Sequence, residues 1–271
     1  PSHTYNRIGR WDDAVRGNTQ AWHSDQKAEY GEGFAIYPSH NVHMLLFAGS
    51  NAGQGGISTQ AARDYKKIVD GGQFYISLVL VRFGRFDEVL EVTDEPEQPV
   101  FKGLWEFARG YANLKLGDRA SAARSLDRVK QIMADNPDAQ FRGHTATQLL
   151  GVTSGILEGE MAAMDGRTQD EIALVERAVE IEDGLRYDEP EPLNFSARDW
   201  LGAVLIDNQQ YTQAEGVYRA ALVDHPLNGW SLFGLSQALR AQGKTAEADE
   251  AQGRFRIAWS EADVELTASG F

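Results

Sequence analysis

The stretch LGAVLIDNQQYTQAEGVYRAALVDHP, residues 201–226, carries two amphipathic helical patterns separated by a polar turn. Leu201, Gly202, Leu205, Tyr211, Ala214, Tyr218, Ala221 and Pro226 fall at the spacing of a helical-hairpin repeat of about 34 residues. The spacing has a packing origin: a small residue such as Gly202 or Ala214 lets two backbones approach, and Tyr211 or Tyr218 fills the space beside it. Pro226 lacks the N–H that the next helical turn needs, so it ends the second helix.

The same frame recurs along the chain. Gly9, Trp11 and Ala14 form one copy, and Gly84, Phe86 and Val89 another. Gly117 with Ala122, Leu126 and Val129 gives a third, with Arg119 in the bulky slot, and Gly243 with Ala248 and Phe255 a fourth. Two copies are degenerate: Gly53 runs into Gln54, Gly55 and Gly56, and Gly166 is followed by Thr168 and Glu171. The pattern resembles the tetratricopeptide repeat (TPR) family. That resemblance implies an all-α fold, a right-handed α–α superhelix of about seven hairpins forming one domain over residues 1–271. With Gly9 as the first turn, Pro1 falls halfway through a helix, so the chain is expected to be N-terminally truncated within its first hairpin.

Periodicity and breakers predict helices over 11–26, 41–52, 57–69, 72–83, 99–116, 118–135, 144–164, 168–184, 194–208, 211–224, 228–242 and 245–260. The long connections are 27–39, 90–98 and 185–193; in the last, Asp188, Glu189, Pro190, Glu191 and Pro192 cannot continue a helix. Loops of this length are unusual in a minimal repeat array and are places to look for function.

Composition narrows the partners. The 271 residues carry a formal charge of −14, so phosphate backbones would be repelled, and no basic stripe offsets this: nucleic acid is not an expected partner. No run approaches the roughly 20 apolar residues of a membrane span. The chain has no Cys, which excludes thiolate metal sites and permits either a cytoplasmic or a periplasmic setting. An unpaired half hairpin near Pro1 leaves self-association open.

In TPR-like solenoids the first helix of each hairpin lines the concave surface. The resemblance therefore implies inward positions for His3 and Asn6, for His40, His43, Phe47 and Ser50, for Phe74, for Phe107 and Tyr111, for Glu160, and for Asp199 beside Arg198. It places Trp230, Phe233, Gln237 and Arg240 inward on the last such helix. Asn6, Phe47, Phe74, Tyr111, Arg198, Trp230, Phe233, Gln237 and Arg240 are the candidate ligand-binding set, with the rings meeting apolar or peptide groups and Arg198 and Arg240 an anion. Aromatics at helical spacing equally suit a core. The Lys, Arg and Asn residues of a chaperone-type carboxylate clamp are replaced by His, Phe and acidic residues.

Three of the six His project onto this face: His3, His40 and His43, the last two at i and i+3 on one helix. Neutral imidazoles so placed could hold Zn, Cu or Ni, or serve only as capping and hydrogen-bonding groups. The segments Pro1-Ser2-His3 and Pro38-Ser39-His40-Asn41-Val42-His43 resemble a bacterial TPR-like subgroup with PSH and PHNxH motifs, although Ser39 separates Pro38 from His40. Catalytic signatures are missing: no HExxH, GxSxG or P-loop occurs, and the Gly53–Gly56 run has no Lys to hold a phosphate. Asp188 and Glu189 could do acid–base work but read as a solvated loop. The residues point first to a scaffold for a peptide or protein segment, a basic one given the acidic chain. The alternative is a metal- or small-ligand-binding protein built on the His cluster, with catalysis the less favoured use.

Overall fold

The computed structural model describes residues 2–29, 31, 35 and 37–270, residue 29 through its backbone alone. Among these residues seven helical hairpins follow one another: α1 (Ser2–Arg7) with α2 (Trp11–Glu29), α3 (Pro38–Asn51) with α4 (Gly55–Ile68), and α5 (Gln73–Arg82) with α6 (Phe86–Glu91). Then come α7 (Pro99–Lys115) with α8 (Arg119–Asp135), α9 (Ala146–Met164) with α10 (Thr168–Asp183), α11 (Ala197–Asp207) with α12 (Tyr211–Asp224), and α13 (Gly229–Ala241) with α14 (Thr245–Ala258). Each helix packs chiefly on its sequence neighbours, so the fold is the expected all-α superhelix of helix pairs.

All seven hairpin turns place one residue in the left-handed region: Gly9, Gly53, Gly84, Gly117, Gly166, Gln209 and Gly243. Six of the seven are glycine, which takes this conformation without a Cβ clash. Side chains cap several helix starts: Asp118 accepts from Ser121 N, Thr145 and Gln148 form a reciprocal box, and Ser196 and Asn228 accept from Arg198 N and Trp230 N. Pro38 and Pro99 occupy first-turn positions, where the missing N–H loses nothing.

Several boundaries differ from expectation, α2 running on to Glu29 and α11 starting only at Ala197 among them. Helix α3 begins at Pro38, ahead of residue 41, and α6, the short second helix of the third hairpin, lies outside the expected helical spans. Residues 140–145, expected to lead into a helix at 144, instead form an antiparallel ribbon, β1 (Gln140–Phe141) with β2 (His144–Thr145), turned by Arg142 and Gly143 at positive φ. Propensity windows overlook such a ribbon because it contains only two residues per strand.

The hairpins pack by the small-beside-large rule. The Tyr218 ring lies between Gly202 of α11 and Gly234 of α13, where an added Cβ would come within 2.2 Å and 2.1 Å of it. The superhelix also closes on itself. The Gly9 turn abuts Pro226, whose carbonyl accepts from Trp11 Nε1 at 3.0 Å, and the Trp259 ring presses on both Gly53 and Gly229. First and last hairpins are thereby joined.

Closure fills the concave face. Trp200, Trp230, Tyr75, Tyr111, Phe74 and Phe107 are fully buried, and each such side chain contributes on the order of 1.5–3 kcal/mol by leaving water. Trp230 Nε1 of α13 donates across the axis to Ser50 O of α3 at 2.9 Å, and Trp200 Nε1 of α11 to the Tyr111 hydroxyl of α7 at 2.8 Å. Arg82 of α5 and Asp199 of α11 form a buried ion pair at 2.6 Å, with the guanidinium 3.8 Å above the Trp230 ring. Two irregular segments of the same chain, 185–196 and 262–270, lie on this inner face, where Leu193, Asn194, Phe195 and Ser269 are buried.

Candidate functional site

The connection from α10 to α11 is the hub of the polar interior, and four histidines from four parts of the chain converge on its residues 188–192. His3 Nδ1 of α1 lies 3.2 Å from Glu189 Oε2. His144 Nε2 of β2 lies 3.9 Å from Asp188 Oδ2, and Arg142 grips the same carboxylate through two bonds of 2.5 Å and 2.6 Å. His225, which follows α12, meets Glu191 at 2.9 Å. His43 of α3 reaches the loop through Tyr75, whose hydroxyl lies 2.6 Å from His43 Nε2 and donates to Pro192 O at 2.8 Å. That hydroxyl has one proton, spent on Pro192, so His43 Nε2 carries the proton given to Tyr75, and the ring also meets the Glu191 backbone. The Asp188–Glu189 pair, expected to be solvated, is half-buried.

A cavity of about 420 Å³ opens beside this loop. Its wall contains the carboxylates of Glu182, Asp183, Asp188, Glu191 and Asp224, together with Arg7, Arg186, Arg198, Tyr187, Ser196 and His225. Two of the arginines are held in the wall: Arg198 pairs with Asp183 at 2.6 Å, and Arg7 lies 4.4 Å over the Tyr187 ring and 3.8 Å from Glu189. The Glu182 carboxyl caps α11 by accepting from Ala197 N and the Ser196 hydroxyl. Burial, reinforced by the Glu191 charge, raises it to about 7. Burial pulls His225 the other way, but Glu191 and then Glu182 outweigh it and raise the imidazole to about 9. Burial lowers His40, His43 and His144, so these rings favour the neutral form.

The candidate residues separate into three groups. His3 and His40 stack at 5.2 Å with their Nε2 atoms 3.2 Å apart, whereas His43 turns inward to Tyr75. Among the described residues no three His, Asp or Glu side chains are disposed to hold a metal ion. Asn6, Phe47, Phe74, Tyr111 and Trp230 are buried: Asn6 donates to Met44 Sδ, Phe74 stacks on Phe101 at 4.4 Å, and the Tyr111 hydroxyl donates to Glu160. Phe47 sits between Trp11 and His225. Phe233, Gln237 and Arg240 remain accessible on the last hairpin, with Phe233 against Phe255 and Arg240 paired to Asp249. Arg198 alone of the nine ligand-binding candidates lines the cavity together with Glu191 and His225.

The sequence reading missed Tyr75, Arg142, His144, Glu182 and His225. None lies on an inward repeat position flagged by the hairpin frame; the only pointer was the length and charge of the 185–193 connection.

No family model and no curated protein matches the chain. Solved structures similar to it include a Podosopora anserina protein named as a kinesin light chain, built of nearly identical TPR-like repeats. The identity is 18% and the TM-score 0.41, over 84% of this chain and 98% of that one. A single-residue variant of the same protein gives 16% and 0.42 with the same coverage. At such identity the likeness concerns repeated helix pairs alone.

Proposed function

We propose that the chain is a binding scaffold for a peptide or protein segment, and that a basic side chain of that segment enters the cavity beside the 185–196 connection. The observation that carries this reading is the cavity of about 420 Å³ whose wall sets five carboxylates against three arginines and His225, on a chain of net charge −14. An acidic chain attracts a cationic partner at long range, and a cavity of this size accepts one long side chain. Glu182 tunes the site. Below about pH 7 it is neutral; above, it adds a negative charge to the cavity wall beside His225. Fluorescence anisotropy with labelled Lys/Arg-rich and charge-neutral peptides is the test. Basic peptides bind, bind tighter at pH 8 than at pH 6, and lose affinity in Glu191→Gln. Equal binding of both peptide classes would overturn the reading.

A second reading rests on the His3–His40 pair. His3 Nδ1 lies 3.2 Å from Glu189 Oε2, and the Nε2 atoms of His3 and His40 are 3.2 Å apart, a spacing suited to two ligands of one ion. Added Zn²⁺, Cu²⁺ or Ni²⁺ would bind at this pair. Elemental analysis after dialysis, with His3→Ala and His40→Ala as controls, decides it: metal retained equally by the variants places it elsewhere.

A further inference from the structure

Beside the large cavity lies a second one of about 20 Å³, whose wall includes Asn6 of α1, Glu189 of the connection between α10 and α11, and His225 just beyond α12. A single water molecule needs roughly 10–15 Å³. Each of these three side chains has one polar atom engaged and one that is sealed from solvent without a hydrogen-bond partner among the described residues: Asn6 Oδ1, Glu189 Oε1 and His225 Nδ1. Buried polar atoms are rarely left in that condition, and here three from distant parts of the chain line the same small space.

The bonds they do make fix what each remaining atom can offer. Asn6 sets its amide nitrogen on Met44 Sδ at 3.7 Å; a thioether only accepts, so the amide oxygen is the atom left over. Glu189 Oε2 accepts from the Tyr187 hydroxyl at 2.6 Å and lies 3.2 Å from His3 Nδ1. Oε1 has Arg7 Nε at 3.8 Å, beyond hydrogen-bond reach. His225 Nε2 meets Glu191 at 2.9 Å, and with the imidazole raised to about 9 the ring is charged at neutral pH, so Nδ1 carries a proton. The set is one donor and two acceptors.

We propose that this cavity is a binding site for one water molecule, which accepts from His225 Nδ1–H and donates to Asn6 Oδ1 and Glu189 Oε1. Three bonds are what a buried water typically makes. A monovalent metal ion or an ammonium ion suits the two oxygens but has nothing to accept the imidazole N–H. The three side chains belong to the first hairpin, the α10–α11 connection and the end of the sixth hairpin, so the water pins together parts that only the closed superhelix makes neighbours. Through Nδ1 it also fixes the ring that faces Glu191 in the wall of the larger cavity. The site does not depend on whether a peptide enters that cavity.

High-resolution crystallography of the whole chain is the test. One oxygen-sized peak is expected within roughly 2.6–3.2 Å of all three atoms. No peak, or direct bonds among the three groups that close the space, overturns the proposal. Crystals soaked in rubidium chloride show no anomalous signal at the site; a signal there assigns it to a monovalent cation and overturns the water. In Asn6→Leu, which removes one acceptor, the peak is lost, and its persistence at full occupancy would overturn the three-bonded arrangement. Should that variant not fold, the native and rubidium-soaked crystals decide.

Discussion

Gln209 is the one non-glycine among the seven left-handed turn residues, and its side chain is exposed. A Cβ in that conformation costs roughly 1–2 kcal/mol, partly offset by the backbone entropy that glycine loses. Gln209→Gly is therefore expected to raise stability by about 0.5–1 kcal/mol, measured by urea denaturation. At the neighbouring contact the sign reverses: Gly202→Ala drives a methyl into the Tyr218 ring and lowers stability by about 1–3 kcal/mol. His225 makes the molecule pH-sensitive. Its folded pKa of about 9 lies above the ordinary 6.5, so its contribution is complete below pH 6.5 and disappears as pH rises through 9. Glu182, raised to about 7, acts in the same direction. Thermal stability should fall between pH 6.5 and 9, by up to about 3 kcal/mol from His225. In His225→Gln the slope flattens, and an unchanged slope would assign the effect to another group.

At the scale of elements, the turns and stripes were legible and their assembly was not. Glycine marks a hairpin turn because no other residue takes the left-handed conformation without strain, so Gly9, Gly84, Gly117 and Gly243 could be located from sequence. The inward positions given to Phe74, Tyr111 and Trp230 were what the resemblance to TPR-like solenoids implied. What lies opposite them depends on the radius of the superhelix, which no single repeat encodes. Burial of those rings, and the filling of the concave face by residues 185–196 and 262–270, was accordingly not visible. His144 and His225 escaped notice for a related reason: one lies on a four-residue ribbon and the other after a second helix, and only the loop at 188–192 makes them neighbours of His3 and His43.

At the scale of the whole molecule, ring closure changes how damage spreads. In an open solenoid each repeat feels only its neighbours, so a change in the last hairpin leaves the second one untouched. In this chain Trp259, just beyond α14, packs on the Gly53 turn between α3 and α4. Trp259→Ala is expected to cost about 2–3 kcal/mol and to speed hydrogen exchange in α4 as well as in α14. Exchange confined to α13 and α14 would mean that the seam is not cooperative.

The seams share one side chain type. Trp11 touches Pro226, Trp200 touches Tyr111, Trp230 touches Ser50, and Trp259 touches Gly53: four of six indoles stand where distant hairpins meet. Opening the circle would wet several of them together and shift their emission to the red, so the protein carries a built-in optical gauge of its own closure.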